Sequence, residues 1–75
     1  MPRLVPLDLL AAGESGRVSE IDGAGEQVTR LEEIGLRLGA CVEMLRPGRP
    51  CLIAIGNQRI SMRCHESVTV FVEVP

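Results

Sequence analysis

Two glycines four residues apart constrain this chain more than any other feature. They close the segment Arg30-Leu31-Glu32-Glu33-Ile34-Gly35-Leu36-Arg37-Leu38-Gly39. Upstream, Val28, Leu31 and Ile34 recur every three residues and predict a short helix over about residues 26–34 with one apolar stripe. Gly35 falls where the chain must turn left-handed to end that helix, and Leu36 follows at the position that folds back on the last turn, here onto Leu31. A helix of this length does not persist alone in water, so it must exist by capping something else.

That something is a set of short strands. Val68, Val70, Val72 and Val74 alternate with Thr69, Phe71 and Glu73, a period of two in which one face is all valine. Cys51 to Ile55 is an apolar run of strand length, and Gly56-Asn57 supplies the positive φ angles of a tight hairpin returning over Arg59 to Met62. Cys41 to Arg46 alternates Val42 and Met44 with Glu43 and Leu45, and is cut off by Pro47-Gly48-Arg49-Pro50. The first strand, Gly16 to Ile21, breaks strict alternation because Val18 and Ile21 are three apart, which predicts a bulge near Ser19-Glu20.

Ahead of it, Leu7, Leu9 and Leu10 read as one turn covering a barrel mouth, with Asp8 free to bond local amides. Two Leu-x-x-Gly units, Leu10 to Gly13 and Leu36 to Gly39, each hand the chain into a strand, a turn device used twice. Five short strands with one inserted helix in 75 residues predict a single domain, mainly β, folded as a small SH3-like barrel. Strand edges beside Pro47 and Pro50 are candidates for pairing with a partner.

Composition narrows the function by exclusion. With one Phe, no Trp and no Tyr, the chain lacks the aromatic platforms that bind single-stranded nucleic acid or proline-rich peptides. A net charge of -2 and no evident basic strand face argue against a nucleic-acid partner. No window approaches the ~18 apolar residues of a membrane span, and no signal-peptide core is present, so a cytoplasmic location without membrane insertion is expected. Three cysteines at wide spacing, Cys41, Cys51 and Cys64, suggest reduced thiols, with Cys41 and Cys51 as small core residues. The glycine spacings lack the Lys-Ser/Thr of a phosphate loop, and no serine combines with His65 and a carboxylate as a nucleophile motif, so the chain is not expected to be an enzyme.

The pattern Leu7-x-x-Leu10-x-x-Gly13-x-x-Gly16-x-Val18, then Arg30-Leu31-x-x-Ile34-Gly35-Leu36-x-x-Gly39-x-x-Val42, then Ile60-x-Met62-Arg63 and a closing valine strand, resembles the ferrous-iron transport accessory protein A (FeoA) family. Its structural motif is Leu31, Ile34, Gly35, Leu36 and Gly39, and Ala12 and Leu38 stand where the family often carries proline. The resemblance implies an SH3-like barrel related to the C-terminal domain of iron-dependent repressors. It also implies a bacterial cytosolic role in ferrous-iron uptake beside a membrane permease with a cytosolic GTPase domain. The alternative is a metal-responsive regulatory module acting in trans with a DNA-binding repressor.

Two sets of side chains are candidates for that work. Arg30, Glu33 and Arg37 project from the helix and its exit as a charged docking patch, set against a merely solvated face; Arg30 is also placed to cap the helix's last carbonyls. Cys64 and His65 have metal-ligand chemistry, but neighbours on a strand point to opposite faces, so they would share a transition metal ion only from a turn. No cofactor is expected beyond that ion.

Overall fold

The computed structural model describes residues 3–63 and 68–75. Six strands form one antiparallel sheet in the order β1-β6-β2-β3-β4-β5, coiled into an SH3-like barrel. They are β1 (Arg3–Pro6), β2 (Ser15–Gly23), β3 (Cys41–Arg46), β4 (Cys51–Ile55), β5 (Gln58–Met62) and β6 (Val68–Val74). The helix α1 (Gly25–Glu33) lies between β2 and β3. The architecture follows the expectation with one addition. Arg3–Pro6 pairs with the second half of β6, setting Arg3 opposite Val74 and Pro6 opposite Phe71. Only four residues long and ending in proline, β1 carries too little alternation to read as a strand by itself. Proline is tolerated there because β1 is an edge.

The central valine strand is the spine of the core. Val68, Val70, Val72 and Val74 are buried and Glu73 is exposed, as their alternation requires. Val70, Val72 and Val74 pack with Leu7, Leu10, Val18, Leu36, Met44 and Ile53, among others. Of the leucines expected to cover the barrel mouth, Leu7 and Leu10 do so, from a turn of 3-10 helix over Leu7–Leu9, while Leu9 is 71% exposed.

The two Leu-x-x-Gly units are equivalent in three dimensions. In each, the residue after the glycine donates its N–H to the carbonyl three back: Glu14 to Ala11, and Ala40 to Arg37, both at 3.0 Å. The glycines take φ of +87° and +89°, the third-position conformation of a type II turn. Each turn then clamps the strand that follows the other. Gly13 N–H donates to the Met44 carbonyl and Met44 N–H to the Glu14 carbonyl; Gly39 N–H donates to the Val18 carbonyl and Val18 N–H to the Ala40 carbonyl. Both strands slip register one residue beyond the clamp, between Val18 and Glu20 and between Met44 and Arg46. The first bulge was legible in the spacing of Val18 and Ile21. The second was not, because Leu45 is apolar and hides the slip.

β2 crosses β6 very closely at Gly16. A Cβ there would stand 3.0 Å from the Glu73 carbonyl oxygen and 3.1 Å from the Val72 Cβ, tighter than nine in ten real Cβ contacts, so the neighbouring strand would have to give way. The β4–β5 hairpin closes through Gly56-Asn57, with Ile55 opposite Gln58. Of the two turn residues only Gly56 has positive φ, +58°, so the turn needs that conformation once, in the manner of type II′.

Candidate partner-binding surface

Helix α1 sits shallowly on the barrel. None of its residues is fully buried; Val28 and Leu31 are half-buried, and Ile34 just past its end is 37% exposed. Leu31 alone of the predicted stripe packs against the core cluster. The start is weak, since Ala24 offers no side-chain cap. The end is strong. Gly35 takes φ of +103°, its N–H donates to the Glu32 carbonyl at 3.1 Å, and Leu36 N–H donates to the Leu31 carbonyl at 2.9 Å. This is a Schellman closure, and it drives Leu36 into the core at 0% exposure. The motif Leu31, Ile34, Gly35, Leu36 and Gly39 is thus a device that stops a helix, buries one leucine and turns the chain into β3.

Arg30, Glu33 and Arg37 are all exposed, and each makes its own local contacts or borders a groove beside α1. Arg30 reaches back along the helix to Glu26, with Nη2 to Oε1 at 3.4 Å and both side chains well exposed. The carbonyl cap expected of Arg30 comes from Arg37, whose Nε donates to the Glu32 carbonyl at 3.1 Å. The physical reason is direction: helix side chains lean toward the N-terminus, so Arg30 points away from the last turn, whereas Arg37 returns to it after the left-handed glycine. Two different grooves result. Glu33 and Arg37 border one of about 270 Å³ with Ile34, Ile55 and Gln58. Arg30 borders another of about 230 Å³, floored by Leu31, Met62, Val68 and Val70, with Arg63 at its rim.

The cysteines also separate. Cys51 is buried in the core as expected, but Cys41 is exposed, because the register that buries Val42 and Met44 turns position 41 outward. Cys41 shares an open groove of about 370 Å³ with Arg17 and Glu73, among others. The metal candidates Cys64 and His65 lie outside the described residues. Among the described residues no three His, Cys, Asp or Glu side chains gather as a metal site, and no helix is long and apolar enough to cross a membrane.

Comparison with known proteins bears on this geometry as a whole. The model of the FeoA domain matches residues 5–74. A crystal structure described as an iron uptake regulatory protein (FeoA) superposes with a TM-score of 0.82 at 26% identity, covering 96% of this chain and all of that one. The solution structure of iron(II) transport protein A from Clostridium thermocellum superposes with a TM-score of 0.76 at 26% identity; the match covers 88% of this chain and 45% of that one. Curated protein sequences offer no match.

Proposed function

The chain belongs to the FeoA family, and on that footing we propose that it is a non-enzymatic accessory protein of bacterial ferrous-iron uptake. It acts in the cytoplasm, binds the cytosolic region of a membrane ferrous-iron permease that carries a GTPase domain, and biases that permease between two states by binding one of them better. The observation that carries this reading is the family match over residues 5–74, joined to end-to-end similarity with a protein described as regulating iron uptake. Chemistry on the surface agrees with a binding role: the grooves beside α1 mix arginine with exposed aliphatic side chains such as Ile34, a composition suited to protein contact.

The test is a titration of the permease's soluble GTPase domain with this protein, followed by ferrous-iron uptake in cells lacking it. Saturable binding and reduced uptake on deletion are expected. Absence of binding to every cytosolic segment of the permease, with uptake unchanged, overturns the reading.

A further inference from the structure

Charge is spread very unevenly along this chain. Four of its eight arginines and none of its ten acidic residues lie between Arg46 and Arg63. That stretch is the end of β3, the turn after it, and the β4–β5 hairpin. The register sets Arg46 opposite Leu52 and Leu52 opposite Ser61; Arg59 stands opposite Ala54, and Ala54 opposite Glu43. Arg46, Arg59 and Ser61 are exposed while Ile53 and Met62 are buried, so the cationic set faces solvent. Glu43 is its single acidic neighbour on these three strands. A basic strand face, missing from the linear sequence, is assembled by pairing.

The same hairpin offers an open edge. Among the described residues β5 pairs only with β4. Ile55 and Gln58 close a two-residue turn and so exchange hydrogen bonds, and bonded pairs alternate with non-bonded ones along the ladder. Arg59 and Ser61 fall at the non-bonded positions. Their N–H and C=O groups therefore point away from β4, outward from the sheet. At the far end of this edge lies the 230 Å³ groove floored by Leu31, Met62, Val68 and Val70 and rimmed by Arg30 and Arg63.

We propose that the β5 edge receives an extended acidic segment of a partner protein as an added strand. Its carboxylates meet Arg59 and Arg63, and one of its apolar side chains enters the groove beside Met62. Backbone hydrogen bonds at strand spacing supply affinity in such additions, and alternate side chains supply selectivity. Arginine pairs carboxylates with fixed geometry. Neither a lipid surface nor a nucleic acid presents N–H and C=O groups at that spacing, and the chain has no Tyr or Trp to stack bases. The accessory-protein reading above bears only on which partner supplies the segment; the surface itself is defined by its chemistry.

The probe is a capped synthetic peptide alternating glutamate with valine, titrated into the isotope-labelled full chain. Amide shifts and slowed exchange are expected at Arg59 and Ser61. Binding is expected to weaken about tenfold or more with Arg59→Glu and Arg63→Glu together, and likewise when alternate amides of the peptide are N-methylated. The methylated peptide leaves the protein untouched, so its result does not depend on a variant folding. Equal binding of methylated and unmethylated peptide overturns strand addition. So does retained affinity in the folded double variant. Adhesion to anionic phospholipid vesicles or to single-stranded RNA, with the peptide ignored, also overturns it. If the peptide is ignored while the permease domain still binds, the surface is wrong and the accessory role survives; if the peptide binds and the permease does not, the reverse holds.

Discussion

Gly35 and Gly16 both favour glycine, for different reasons. At Gly35 the requirement is dihedral: φ is +103°, and a Cβ there would meet only Ile55 Cγ2, at an unobjectionable 3.6 Å. Gly35→Ala should therefore cost about 1–2 kcal/mol from backbone strain, and Gly35→Asn less, because Asn tolerates the left-handed region. Urea midpoints for the two variants check that order. At Gly16 the requirement is space, with Glu73 and Val72 in the way. Gly16→Ala should cost about 1–3 kcal/mol by forcing β2 away from β6, and no residue preference at positive φ will rescue it. A third pair of positions runs the other way. Ala12 and Leu38 are the second residues of the two type II turns, where proline's fixed φ fits, and both are exposed. Ala12→Pro and Leu38→Pro should each raise stability by about 0.4–1 kcal/mol through the unfolded chain, read as a higher urea midpoint with an unchanged slope. The family's frequent proline there thus has a local physical cause.

Among the elements, α1 is held by its exit. Its burial is shallow and its N-terminus lacks a side-chain cap, so the Schellman closure, the Arg37 cap and the descent of Leu36 into the core keep it in place. Leu36→Ala should cost about 2–5 kcal/mol. Arg37→Ala should cost about 0.3–1 kcal/mol by releasing a carbonyl near the helix end. Arg30→Ala, which removes only an exposed i,i+4 pair, should stay within about 0.5 kcal/mol. Thermal or urea unfolding of the three variants distinguishes this ranking from one in which Arg30 is the structural arginine. In β2 the bulge lets Val18 and Ile21 both turn inward. Deleting Ser19 would remove the bulge and leave Val18 and Ile21 two residues apart, still on one face and opposite Val72 and Val70, so cooperative unfolding should be retained and only the local bend lost.

For the whole molecule, much was readable residue by residue. The limits of β3, β4 and β6, the helix to within a residue, the left-handed Gly35 and the first bulge all follow from local periodicity and from dihedrals that only glycine adopts comfortably. The candidate surface was less legible. Arg30 borders the groove floored by Leu31 and Met62, whereas Glu33 and Arg37 border the one beside Ile55, a division that depends on which strands pack beside α1. Pro47 and Pro50 suggest an edge beside them, but β3 and β4 are interior, and among the described residues the edges are β1 and β5. On the proposed reading, a permease would touch this protein on more than one side. Charge reversal at Arg37 and at Arg59 should weaken binding by independent, additive amounts in a double-variant cycle with the GTPase domain.

By itself the sequence settled the helix and the limits of β3, β4 and β6, because those choices are made within a few residues by side-chain alternation and backbone freedom. Folding alone decided that Arg3–Pro6 would join β6, that Gly16 would lie under Val72, and that Arg46 of β3 and Arg59 of β5 would share one face. Each of these is a relation between positions far apart in the chain, set by register and packing, and no local pattern encodes it.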